Sequence, residues 1–151
     1  MSNWTASTTA NATPEQLLEV LTHPERIQDW APVDFDVADW RRLSAGTRTR
    51  VTGRLAGVPV EFDVEVHAAD KAGLHLSADG PIGLDVHYEL AQASSGAELN
   101  ASVSLRSGGG IRGRLVANAT KALLSAGALE GATGRIARAA ERPASELALA
   151  A

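Results

Sequence analysis

A strict alternation of apolar and polar residues through the middle of the chain limits its fold more than any other feature. The alternation is clearest in residues 58–67 (VPVEFDVEVH) and recurs in 74–78, 84–90 and 99–105. An apolar side chain at every second position indicates strands with one buried and one hydrated face. Sheets with one wet face are typically antiparallel. With 4–12, 33–43 and 47–55, the sequence predicts seven strands in an antiparallel sheet.

Charge predicts the register of one strand pair. If Ala56-Gly57 is a two-residue hairpin turn, Arg50 lies opposite Asp63 and Arg48 lies opposite Glu65. Both pairs fall on the hydrated face with opposite signs, and such cross-strand pairs contribute about 0.2–1 kcal/mol each. The arginines therefore support the hairpin and need no ligand to explain them.

Helix signals flank this run of strands. Thr13-Pro14-Glu15-Gln16 has the form of a capping box with proline at the first helical position, and a second short helix is expected over Pro24–Trp30. After Gly108-Gly109-Gly110, residues 111–140 predict one long helix. On a helical wheel its inner face comprises Ile111, Leu115, Ala119, Ala122, Ala126, Leu129, Thr133, Ile136, Ala137 and Ala140.

These elements predict an α+β fold in which the long helix covers one face of the sheet. Residues 1–142 are expected to form one domain, and 143–151 a flexible C-terminal tail.

Composition excludes several classes of protein. The chain has 151 residues, no cysteine and a net charge of −4. Disulfides and cysteine-ligated metals are therefore excluded, and the charge argues against binding of nucleic acid or an anionic membrane. The sequence has no apolar run long enough to span a bilayer and no signal peptide, so a cytoplasmic location is expected. Its 28 alanines and six aromatic residues predict an interior of small side chains.

The order of elements resembles the START-like, polyketide cyclase/dehydrase superfamily (SRPBCC), which has the helix-grip fold. The resemblance covers about residues 3–141 and is most specific at Thr13-Pro14-Glu15, at His23–Trp30 (HPERIQDW) and at the final helix after a glycine-rich turn. It implies a deep apolar cavity between sheet and long helix, with the two short helices near its mouth. Members of the superfamily bind lipids, sterols or polyketides; some catalyse reactions and others are carriers. One branch resembles an accessory protein of carbon monoxide dehydrogenase.

Few polar groups are expected inside such a cavity. Tyr88 falls on the apolar face of its predicted strand, so its phenol is expected inside the cavity. There it is a candidate hydrogen-bond donor to a ligand, or a candidate catalytic residue. Asp39 shares the parity of Phe35 and Val37 and is a candidate general base, unless a bulge turns Trp40 inward instead. The predicted ligand-binding residues are Trp30, Phe35, Val37, Trp40, Thr49, Phe62, Leu76, Tyr88, Asn118, Ala122 and Ala126.

Other chemistry is not indicated. His67, His75 and His87 fall on the hydrated face by parity, and no histidine pair has the spacing of metal ligands, so no metal or cofactor is expected. Glycines at 127, 131 and 134 share one side of the predicted helix and would allow close contact with a second protomer in a homodimer.

Three functions stay open from the sequence. The first is a polyketide cyclase-like enzyme of specialised metabolism that folds its substrate and polarises a carbonyl. The second is a carrier of an apolar small molecule, and the third is an accessory subunit with a protein partner.

Overall fold

The strands are β1 (Ser2–Ala10), β2 (Phe35–Val37), β3 (Arg48–Leu55), β4 (Val58–Asp70), β5 (Gly73–Asp79), β6 (Gly83–Ala93) and β7 (Gly96–Arg106). In the computed structural model, which describes residues 2–31, 34–38, 41–55, 57–106 and 109–141, they form one sheet in the order β1-β7-β6-β5-β4-β3-β2. Every neighbouring pair is antiparallel. The predicted seven-stranded antiparallel sheet is confirmed.

The register predicted from charge is also confirmed. Arg50 pairs with Asp63 and Arg48 with Glu65 across β3 and β4. Arg48 Nη2 lies 3.1 Å from Glu65 Oε1, and Arg50 Nε lies 3.5 Å from Asp63 Oδ1. Ala56 of the predicted Ala56-Gly57 turn lies outside the described residues.

Part of the strand predicted over 33–43 is present in the described residues. Phe35–Val37 pairs with β3, and Ala38 N donates one further hydrogen bond to Arg50 O, whereas residues 41–43 are not in a strand. At the other end of this segment, Leu43 N donates to Thr22 O at 2.7 Å, so the chain there packs on the first helix rather than on the sheet. Asp39 and Trp40 lie outside the described residues, as do 142–151, which include the predicted tail.

The helices are α1 (Pro14–Thr22), α2 (Pro24–Trp30), α3 (Gly110–Ser125) and α4 (Ala128–Glu141). The capping box of α1 is confirmed, since Gln16 N donates to Thr13 Oγ1 and Thr13 N donates to Gln16 Oε1. Both short helices start at a proline, whose fixed φ suits the first turn.

The C-terminal helical segment covers the sheet as predicted but is divided in two. Gly127 has φ +98°, in the left-handed region that ends helices, and α4 starts at the next residue. The prediction of one uninterrupted helix over 111–140 is wrong for this reason. A helical wheel drawn through such a break no longer places the residues before and after it on the same face. The inner face predicted for α3 is therefore also wrong, since Ile111 is 87% exposed and Leu115 is 53% exposed.

The core has two clusters of buried side chains. The larger joins α1 and α4 to β1, β6 and β7 and includes Leu17, Leu21, Leu99 and Ile136. The smaller lies between the hairpin β3–β4 and α3. No helix within the described ranges is long and apolar enough to cross a membrane.

Candidate functional site

A cavity of about 340 Å³ borders both clusters of the core. One wall is the inner face of β3–β7; the others are α2, β2, the inner side of α3 and the first turns of α4. Its lining is almost entirely aliphatic and aromatic, which follows from the alternation, because every second strand residue faces this side. The volume lies near the lower end of pockets that hold small organic ligands, about 300–1,000 Å³.

Tyr88 is buried at one side of the cavity, where Trp30 fixes its ring. The two rings meet edge to face, with centroids 5.8 Å apart and planes at 78°. Trp30 is itself anchored, since its Nε1 donates to Val20 O at 3.1 Å and its carbonyl accepts from Arg135 Nε at 3.0 Å. Tyr88 therefore borders the cavity in a defined orientation.

Burial also fixes the protonation state of Tyr88. Desolvation raises the pKa of the phenol well above its ordinary value of 10.0. The hydroxyl therefore keeps its proton at neutral pH. It is suited to donate a hydrogen bond to a ligand oxygen and is a poor proton acceptor.

Thr49 supplies a second hydroxyl on the inner face, in β3. Its Oγ1 is buried and has no hydrogen-bond partner among the described residues. A hydroxyl buried without a partner costs about 1–3 kcal/mol, so such groups are uncommon in folded proteins. Thr120, which also borders the cavity, differs because its hydroxyl donates to Val116 O at 2.8 Å.

Charge is confined to the edge of the cavity. Within the described part of the chain, the charged side chains among its bordering residues are those of Asp34 and Arg54. Both residues are exposed, at the edge formed by β2 and β3. The interior is thus suited to an apolar, uncharged ligand body.

Seven predicted ligand-binding residues border this cavity: Trp30, Phe35, Val37, Thr49, Phe62, Leu76 and Tyr88. They come from α2, β2, β3, β4, β5 and β6, so the sheet and the short helices converge on one volume. Asp39 and Trp40, predicted as a base and a ligand contact, cannot be placed because they lie outside the described residues.

Three predicted residues face away from the cavity. Ala122 on α3 and Ala126 at its C-terminal end are exposed, and the expectation that they face inward is wrong. Asn118, which lies at the margin of the predicted inner face and could turn to either side, is exposed to solvent. The inner side of α3 instead carries Val116, Ala117 and Thr120, with Leu123 and Leu124 half-buried.

The prediction also missed several residues that border the cavity. They are Ile27, Leu84, Val86, Thr120, Leu123, Leu124, Ala128 and Ala132. The strand residues among them carried the same alternation signal as Leu76. The α3 residues carried a second apolar stripe, which the continuous wheel overlooked.

The three strand histidines lie on the outer face as predicted, but they form a stack across β4, β5 and β6. The rings of His75 and His87 are 3.7 Å apart and nearly parallel, and His67 lies 4.8 Å from His75. Desolvation, followed by the nearby His87 and His67, lowers the pKa of His75, while Asp85 acts in the opposite direction. Over the described ranges, no group of three or more histidine, cysteine, aspartate or glutamate side chains is placed to hold a metal ion.

Comparisons with solved structures identify the architecture. Protein CV1439 from Chromobacterium violaceum matches with a TM-score of 0.70 and 12% identity over 95% of this chain and 100% of that one. Ara h 8.0201 matches with a TM-score of 0.58 and 18% identity over 89% and 97%. The chain has the helix-grip fold. This confirms the fold expected from the resemblance to the SRPBCC superfamily.

A third helix-grip structure comes from a biosynthetic locus. DynU16, a protein of the dynemicin biosynthetic locus, matches with a TM-score of 0.60 and 21% identity over 91% of this chain. The match spans 46% of DynU16, so this chain corresponds to about half of that protein. No protein-family model matches the chain, and no curated protein is similar to it in sequence. At these identities, the solved structures establish the fold alone.

Proposed function

We propose that the protein binds a small, largely apolar molecule in the cavity between the sheet and the C-terminal helices. The observation that carries this proposal is the pairing of an apolar cavity of about 340 Å³ with the buried hydroxyl of Thr49, which has no hydrogen-bond partner in the described part of the chain. Apolar walls would take up the ligand body, and a few polar groups would orient it. Tyr88 offers a second hydroxyl, held in its protonated form.

Binding can be tested with a neutral fluorescent probe such as 1-aminoanthracene. Ala128→Leu enlarges a side chain on the cavity wall and should weaken probe binding at least tenfold. Ala119→Leu is the matched control, since Ala119 is half-buried on α3 but does not border the cavity. Equal affinity for wild type and Ala128→Leu would contradict binding at this site. Native mass spectrometry of the purified protein should further reveal a co-purified apolar molecule.

A second candidate function is catalysis of the polyketide cyclase type, which the Tyr88 geometry favours. The cavity would fold a flexible substrate into a reactive conformation, and the Tyr88 hydroxyl would donate a hydrogen bond to a carbonyl oxygen as negative charge develops there. The likeness to DynU16, from a biosynthetic locus, is compatible with such a role.

Tyr88→Phe separates this role from plain binding. The variant keeps the ring and its contact with Trp30 but loses the hydroxyl, so turnover should fall at least tenfold while the fold is retained. Product analysis of the co-purified or supplied ligand distinguishes the alternatives. A carrier returns its ligand unchanged, whereas an accessory subunit shows no turnover alone and a stable protein partner in a pull-down.

A further inference from the structure

Helix α3 exposes large apolar side chains on the side opposite the cavity. Ile111 is 87% exposed and Leu115 is 53% exposed, and they are the large hydrophobic residues that stand out to solvent in the described part of the chain. Both lie on one side of the helix, since they are four residues apart. Ala122 and Ala126 continue the same side and are also exposed. These four residues are called the outer stripe below.

Basic residues border the outer stripe on both sides. At about 100° per residue, Arg114 and Lys121 fall on one side of it. Arg112 falls on the other side, where its Nη2 donates to Pro59 O. Between Glu98 and Glu130 the chain has four basic residues and no acidic one. The net charge of −4 argues against an anionic membrane partner for the chain as a whole, but this segment is locally cationic.

We propose that α3 docks the protein on the surface of an anionic lipid bilayer. An apolar stripe flanked by Arg and Lys is the arrangement by which helices lie in a membrane interface. The apolar side chains would enter the boundary of headgroups and acyl chains, while Arg114 and Lys121 contact lipid phosphates. Docking would bring the helix that carries Thr120, Leu123 and Leu124 on the cavity wall close to the bilayer.

Two other occupants fit the outer stripe less well. A twofold contact between two copies places the same patch against itself, so the cations of one copy would meet those of the other. Docking of α3 into a groove of an acidic protein would require large apolar side chains spaced along at least two turns of the helix. Beyond Leu115 the stripe offers only alanines as apolar anchors, since Asn118 is polar.

Flotation of the full chain with lipid vesicles tests the proposal. The protein should float with vesicles of phosphatidylcholine containing 30% phosphatidylglycerol and not with phosphatidylcholine alone. Raising the salt to about 0.5 M should release it, because screening shortens the reach of the cations. Absence of flotation with either vesicle would overturn docking without bearing on the cavity, which the probe assay reports independently.

Variants on the outer stripe sharpen the test. Ile111→Ser with Leu115→Ser should weaken vesicle binding at least tenfold, and Arg114→Gln about fivefold. Arg48→Gln is the matched charge control, because Arg48 is exposed at one end of β3 and α3 packs on Leu55 at the other end. All these residues are exposed, so circular dichroism should show unfolding midpoints close to that of wild type, with a small decrease in Arg48→Gln from the loss of its pair with Glu65.

Besides the absence of flotation, three results would overturn the proposal. The first is binding that survives the double serine substitution. The second is an equal loss of binding in Arg48→Gln and Arg114→Gln. The third is a dimer in sedimentation velocity that dissociates in the double variant, since a second copy would then cover the stripe.

Discussion

Replacing Thr49 with valine should make the protein more stable and bind its ligand less tightly. Valine has nearly the shape of threonine, and both residues suit a β-strand. The substitution therefore changes little in β3 except the hydroxyl. That hydroxyl is buried and has no partner among the described residues.

The expected gain in stability follows from the cost of the hydroxyl. Burying one without a hydrogen bond costs about 1–3 kcal/mol, so its removal should raise the free energy of unfolding by a similar amount. For a chain of this length, each 1 kcal/mol raises the melting temperature by about 2–4 °C. If the hydroxyl contacts the ligand, the variant also loses one hydrogen bond in the complex, or about two- to tenfold in affinity.

Thr120→Val is the matched control. Thr120 also borders the cavity, but its hydroxyl already donates to Val116 O at 2.8 Å. Its removal takes away a satisfied hydrogen bond, so stability should stay the same or fall by up to about 1.5 kcal/mol. Urea denaturation of both variants and wild type, with and without the probe molecule, measures stability and affinity in one experiment.

The two readouts refute different steps of the reasoning. If Thr49→Val is no more stable than wild type, the hydroxyl is already satisfied in the free protein and its cost was misjudged. If the variant is more stable but binds with unchanged affinity, the desolvation cost stands and Thr49 is not a ligand contact.

Two further predictions concern the helix break and the histidine stack. Gly127→Ala should destabilise the protein by about 1–2 kcal/mol, because alanine is strained at φ +98° although its Cβ would meet only Glu130 Oε2, at 3.8 Å. Gly134→Ala, inside α4, should instead stabilise by up to about 1 kcal/mol, and equal effects in urea denaturation would contradict the contrast. The pKa of His75 is lower in the folded protein than its ordinary value of 6.5, so the unfolded chain takes up this proton first and stability should fall as pH drops below about 6.5. His75→Gln should flatten this dependence, and an unchanged slope between pH 5 and 8 would argue against the stack as its cause.

The sheet could be predicted because two independent features of the sequence agree. Alternation assigns each strand residue to a face, and a shift of one residue would turn every side chain over. With Ala56-Gly57 as the two-residue turn, Arg48 and Arg50 then lie opposite Glu65 and Asp63. The same parity placed Phe62, Leu76 and Tyr88 on the cavity wall, since a strand residue can face only one of two sides.

The helix facing this sheet could not be placed in the same way. Residues 110–125 carry apolar side chains on both sides, so a wheel admits two orientations. A wheel drawn through 111–140 as one helix assigns the inner face of α3 from the apolar face of α4. That assignment fails because the two helices are not continuous at Gly127. In the structure the side of α3 with Val116 and Thr120 is buried, and Ile111 and Leu115 are exposed to solvent.

The small interior residues explain the cavity, although not through the alanines that the wheel selected. Ala122 and Ala126 are exposed, whereas Ala78 in the sheet and Ala128 and Ala132 in α4 border the cavity. Unfilled volume costs up to about 24 cal/mol per Å³, or roughly 8 kcal/mol for a cavity of this size. That upper bound is comparable to the whole stability of a typical domain, about 5–15 kcal/mol. Larger side chains at these three positions would reduce the cost, so a chain that keeps alanine there retains space at the expense of stability. A ligand that fills this space would stabilise the folded state in proportion to the logarithm of its concentration above Kd.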